Sequence, residues 1–152
     1  MSLEGEANEV LADGFYDWVP LDYVMIGAKC YAEESGIPKE DAFRELIAYL
    51  LGEGLMVVGE LGNGFEVWDI SIDEAIGHSM RVLVATDWFP AGEGPWFKNT
   101  EKGDRRGEAH EEWERSQDAG TALSARQRAS VKVRWSCGSG CIRCVRWGWL
   151  TP

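Results

Sequence analysis

Two histidines, four cysteines and 26 acidic residues are the groups from which this 152-residue chain would have to build reaction chemistry. His78 stands beside Ser79, but neighbours on a helix point in different directions, so the two do not make a nucleophile–base pair. His110-Glu-Glu-Trp-Glu114 opens like the metal-binding helix pattern His-Glu-x-x-His, yet Glu114 stands where the second imidazole is needed. Cys137, Cys141 and Cys144 follow a C-x3-C-x2-C spacing suited to zinc or an iron–sulfur cluster, with Cys30 or a histidine as the fourth ligand. Closely spaced thiols alone do not make a site. No Gly-Lys-Ser/Thr phosphate loop occurs, and no Gly-x-Gly-x-x-Gly follows a strand. Carboxylates are numerous, and a solvated acidic face is their default role. The expectation is a protein that is not an enzyme and holds no cofactor or metal.

Binding is better supported than catalysis. Trp88, Phe89, Trp96 and Phe97 crowd a ten-residue segment punctuated by Gly and Pro, and such rings either cover a core edge or anchor a partner. They are the candidate partner-binding residues. Charge narrows the partner. Residues 1–120 hold all 26 acids against nine bases, a net charge of −17, while residues 121–152 hold six bases and no acid. Phosphate contacts need clustered Lys and Arg, so residues 1–120 are not expected to bind nucleic acid. A basic protein partner suits them better.

Positioning these groups requires a folded unit, and 45% hydrophobic residues suffice for one core. Residues 1–19 show little periodicity; only Val10, Leu11, Phe15, Tyr16 and Trp18 look able to dock. Pro20 then opens a helix with Leu21, Val24, Met25, Ala28, Tyr31 and Ala32 on one face, closed by Gly36. Cys30 lies on its apolar stripe, in a packing position. Pro38 starts a second helix, 39–53, with Phe43, Leu46, Ile47, Leu50 and Leu51 inward. Two β-rich runs, 55–61 and 65–70, flank Gly62-Asn63-Gly64 and predict a hairpin. Ser71 and Glu74 form a capping box that opens a third helix over 72–87. Residues 88–97 read as a loop running into a short strand. A polar helix follows Thr100 to about Gln117, with only Ala109 and Trp113 as an inner face.

The run from Ala32 through the helix of Phe43 to Phe65-Glu-Val67 resembles a winged-helix module: two helices joined by a short turn, a Gly-Leu step, then a hairpin wing. Trp96-Phe-Lys-Asn-Thr100-Glu-Lys-Gly103 resembles the strand-to-helix step after many wings. The stretch from Asp17 to Gly107 is also similar to small bacterial proteins without an assigned function. The fold implied is α+β and winged-helix-like, in the order helix-helix-hairpin-helix, with a further C-terminal helix and an irregular basic tail. In such modules the second helix reads DNA. Here its outward residues would be Lys39, Glu40, Asp41, Arg44, Glu45 and Glu53, and the wing adds Glu60, Glu66 and Asp69. Basic and amide groups are what DNA contacts require. This departure favours a protein-binding role of adaptor, immunity or antitoxin type, with a DNA-binding regulator as the alternative.

Residues 1–117 therefore form the expected acidic domain and 118–152 a basic, Cys/Trp-rich tail without regular order. The cysteine spacing of the tail resembles that of radical S-adenosylmethionine enzymes, but only eight residues follow Cys144, too few for their barrel. Three readings of the tail stand: a basic-aromatic arm, an extension without selected function, or an out-of-frame translation of a GC-rich gene. The last two match its composition better. Met1 to Gly14 has four acids and no base, the reverse of a secretion signal. The longest uncharged run of residues 1–120, Leu46 to Gly52, falls far short of the roughly 20 residues that span a bilayer. A cytoplasmic location without membrane contact is expected.

Overall fold

The computed structural model describes residues 2–125, and among these an α+β fold of five helices and one four-stranded antiparallel sheet. The first element is unannounced by the sequence. α1 (Leu3–Tyr16) fills the stretch of low periodicity, and Ser2 caps it by accepting the Gly5 N–H at 3.2 Å. Its buried side is Glu6, Ala7, Val10, Leu11 and Ala12, mostly small and interrupted by an acid. A hydrophobic pattern of that kind carries little signal.

The next elements follow the periodicities closely. β1 (Val19–Pro20) leads into α2 (Leu21–Ser35), and Gly36 ends that helix at φ 73°, the left-handed cap for which glycine is suited. Cys30 is buried on α2. α3 (Lys39–Gly52) buries Phe43, Leu46, Ile47 and Leu50. β2 (Met56–Leu61) and β3 (Phe65–Val67) form the hairpin, shorter on its second arm than the run 65–70 predicts. α4 (Ile72–Ala85) begins with both halves of the Ser71/Glu74 capping box. The two hydrogen bonds from Ser71, backbone first and hydroxyl second, hold the Glu74 carboxyl below the ordinary carboxylate range.

β4 (Trp96–Asn99) completes the sheet, whose order is β1-β4-β2-β3. Val19 opposes Phe97, Phe97 opposes Val58, and Met56 opposes Asn99, so one face of the sheet supplies a row of buried residues to the core. The helices cover that face.

α5 (Glu101–Ala125) corrects the sequence expectation in two ways. It runs past Gln117, and its inner face is not Ala109 and Trp113, both of which are exposed. The buried positions are Gly103 and Gly107. A Cβ at Gly107 would lie 2.4 Å from the Leu11 carbonyl oxygen of α1, and one at Gly103 would also overlap the Leu55 carbonyl oxygen. The helix therefore docks by backbone proximity, which an apolar pattern cannot reveal. Thr100 fixes its start: the hydroxyl accepts the Gly103 N–H and reaches the Gly54 carbonyl at 2.7 Å. Arg106 then ties three helices, donating to Asn8 of α1 at 2.6 Å and to the Tyr49 hydroxyl of α3 at 2.8 Å. The i,i+4 pairs Glu101/Arg105 and Glu111/Arg115 form along α5. Each contributes about 0.3 kcal/mol, so they do not dock the helix.

The basic tail lies outside the described residues from position 126 onward. No helix among the described residues is long and apolar enough to cross a membrane.

Two glycines separate helix propensity from packing. Gly77→Ala on α4 meets only the flexible end of Arg81, at 3.6 Å, and should raise stability by about 0.5–1 kcal/mol in urea unfolding. Gly107→Ala gains the same propensity but must push two backbones apart, and should lower stability by about 1–3 kcal/mol. The capping box adds a pH signature. Because the folded Glu74 carboxyl titrates lower than in the unfolded chain, its contribution is present above the unfolded value and fades as pH falls through the folded one. Unfolding midpoints measured from neutral to acid pH should fall less steeply in Glu74→Gln than in the parent.

Candidate functional site

The segment joining α4 to β4 is built from unusual backbone. Asp87, Trp88 and Ala91 have φ of 50°, 59° and 52°, and Gly92 and Gly94 are also positive. Two consecutive non-glycine residues in the left-handed region, one of them a tryptophan, cost of order 1–3 kcal/mol each and need their surroundings to hold them. The holding groups are identifiable. The Asp22 carboxylate of α2 accepts the Ala91 and Gly92 N–H groups at 3.1 and 2.9 Å. The Trp88 N–H donates to Leu83 at 2.6 Å, which closes the end of α4 onto the turn. Lys29 reaches the Trp88 carbonyl at 3.4 Å, and the Lys39 ammonium sits 4.5 Å from the centroid of the Trp88 ring.

These constraints divide the four predicted binding aromatics. Trp88 is buried and meets Phe43 edge-on at 6.1 Å between ring centroids, so it belongs to the core. Phe97 is fully buried on the inner face of β4. Trp96 is half-buried, set between Pro20 and Gly59 on the neighbouring strands. Phe89 alone faces solvent, at 74% exposure, the most exposed large apolar side chain among the described residues. The burial of Trp88 and Phe97 answers why the segment is aromatic: they cover an open core edge. Of the four, only Phe89 is left in solvent, carried on a turn held by Asp22, Lys29 and Lys39 and flanked in sequence by Asp87 and Glu93.

The histidines separate as well. His78 packs edge-on against Trp68 at 4.8 Å, with Arg81 3.5 Å from its Nδ1, and it is not brought to a nucleophile. His110 is different. Its Nε2 lies 3.1 Å from Glu9 Oε1, across the seam where α1 and α5 meet. Nothing in the sequence marks this pair, since α1 itself is not legible there. Next to His110 on α5, Glu111 accepts a hydrogen bond from the Tyr16 phenol at 2.7 Å, and this bond raises the phenol pKa above its ordinary value.

An open groove of about 470 Å³ between α3 and α4 is lined by Arg44, Gly77, Met80, Arg81, Val84 and Ala85. Its lining includes no carboxylate, imidazole or thiol.

The division of the aromatic segment is measurable. Trp88→Ala should cost about 3–5 kcal/mol in urea unfolding because it empties core volume beside Phe43. Phe89→Ala should stay within about 0.5 kcal/mol of the parent.

No protein-family model, no curated protein and no solved structure matches this chain.

Proposed function

We propose that this chain is a protein-binding domain without catalytic activity, of adaptor, immunity or antitoxin type, and that Phe89 anchors its partner. The observation that carries this reading is Phe89 held in solvent by the Asp22-clamped turn. A ring presented on pre-ordered backbone loses little conformational freedom on binding, which is the economy that interface anchors exploit. The partner is a basic protein offering an apolar pocket. All the acidic residues except Glu6 are at least partly exposed, and Asp87 and Glu93 bracket the anchor.

A winged-helix-like architecture is part of the same proposal. Two helices, a short turn between them and a following hairpin occur in the expected order. The insertion of α4 between the hairpin and β4, which then joins the sheet, distinguishes this chain from a simple wing. The helix in the reading position is poorly equipped for DNA. Of its outward bases, Lys39 is engaged over Trp88 and Arg44 lines the groove against α4, while Glu40, Asp41 and Glu45 remain on that helix and Glu53 at its C-cap. The hairpin adds exposed Glu60, Glu66 and Asp69.

Affinity capture from the source cells, with the full chain and with Phe89→Ala as paired baits, tests the proposal. The expected result is a basic protein retained at low salt, released by added salt, and lost or reduced at least tenfold on the Phe89→Ala bait. Equal capture by both baits, or a site-specific DNA mobility shift by the full chain, overturns it.

A further inference from the structure

The seam between α1 and α5 gathers three ligand-bearing side chains from opposite ends of the described chain. His110 and Glu114 are four residues apart on α5 and so share one face of that helix. Glu9 comes from α1. One ligand atom from each lies within 4.8 Å of the others, and all three side chains are half-buried. We infer that Glu9, His110 and Glu114 form a binding site for a divalent first-row metal ion of the zinc class.

Geometry favours this over a coincidental cluster. Metal–ligand bonds of 2.0–2.2 Å place tetrahedral ligand atoms roughly 3.3–3.5 Å apart. His110 Nε2 and Glu9 Oε1 are hydrogen-bonded at 3.1 Å, and the ion would replace that bond by opening the pair a few tenths of an ångström. The widest separation is no more than 4.8 Å, so it needs to close by at most about 1.5 Å to reach the same range, a distance that rotation of a glutamate side chain covers. The helices themselves need not move. Their spacing is set a turn away by Gly107 against the Leu11 carbonyl and by Arg106 bound to Asn8. The His110 ring is also held, stacked on Trp113 at 5.9 Å and 20° between planes.

The donor set selects the ion. One imidazole and two carboxylates suit Zn²⁺, Co²⁺ or Mn²⁺, and offer nothing to a soft ion that needs thiolate or thioether. Three protein ligands leave at least one coordination position for water or for an outside donor. Access is open, because Glu114 also lines a cleft of about 250 Å³ with Tyr16, Glu111, Arg115 and Asp118. The site binds the ion between two helices and cross-links the first element of the fold to the last.

The thiols of the tail are a competing ligand set, so the test removes them. Co²⁺ is titrated into the full chain carrying Cys137→Ser, Cys141→Ser and Cys144→Ser, followed by visible absorption and calorimetry, and then displaced with Zn²⁺. The expected result is saturable uptake of one ion per chain, a cobalt spectrum without sulfur charge transfer, and a thermal midpoint that rises with metal concentration. His110→Ala and, separately, Glu114→Gln should each weaken binding at least about tenfold. Glu114→Gln keeps the side chain's size, so it gives an answer even if His110→Ala disturbs the seam. Uptake unchanged in Glu114→Gln, or no saturable uptake by the parent at millimolar metal, overturns the assignment.

Discussion

The close approach of α5 to the backbone of α1 and of the α3–β2 turn is the constraint on which this structure rests. Gly103 and Gly107 present no side chain, so carbonyl groups of Leu55 and Leu11 lie where a Cβ would be. Dispersion contacts multiply when two backbones come this close, and no large apolar residue is needed to hold the helix. Everything on that seam inherits its geometry: the Arg106 clasp to Asn8 and Tyr49, the Tyr16–Glu111 bond, and the gathering of Glu9, His110 and Glu114. A chain with alanines at both glycines would have to separate these pairs before it could pack at all.

The two candidate sites differ in what supports them. At the α4–β4 turn, positive φ values at Asp87 and Trp88 are offset by hydrogen bonds from the turn's own amides to Asp22 and by burial of the indole. Strain there buys a fixed direction for one exposed ring. On the α1–α5 seam no backbone strain is involved, and two regular helices fix the side chains. The proposed recognition site thus lies on a loop and the proposed metal site on rigid elements, in keeping with the precision each task demands.

Much of the architecture is legible in the residues. Pro20, Gly36 and Pro38 punctuate α2 and α3, Gly62-Asn63-Gly64 marks the hairpin, and Ser71-x-x-Glu74 marks α4, because each acts through local backbone chemistry. The termini of the fold are not legible, for one physical reason. α1 buries small residues and an acid, and α5 buries glycines, so neither displays the apolar stripe that betrays an amphipathic helix. The site follows suit. Its aromatic composition points to residues 88–97, but which ring stays outside depends on left-handed conformations at an aspartate and a tryptophan, residue types that give no warning of them. The Glu9–His110 pair requires knowing that α1 exists and that α5 lies on it.

The strand order carries a consequence for how the chain acquires its shape. Among the described residues β1 pairs only with β4, which also fills the position between β1 and β2, and α5 covers α1. During synthesis α1 and β1 therefore emerge long before β4 and α5 exist, although α2 and α3 follow at once and pack on another side of α1. The α2–α3 pair and the β2–β3 hairpin are local and can assemble early, whereas closure of the sheet must wait for β4 and sealing of the seam for Gly107. The side of α1 that α5 covers and the edge of β1 that β4 pairs are thus the last parts of the early chain to be covered.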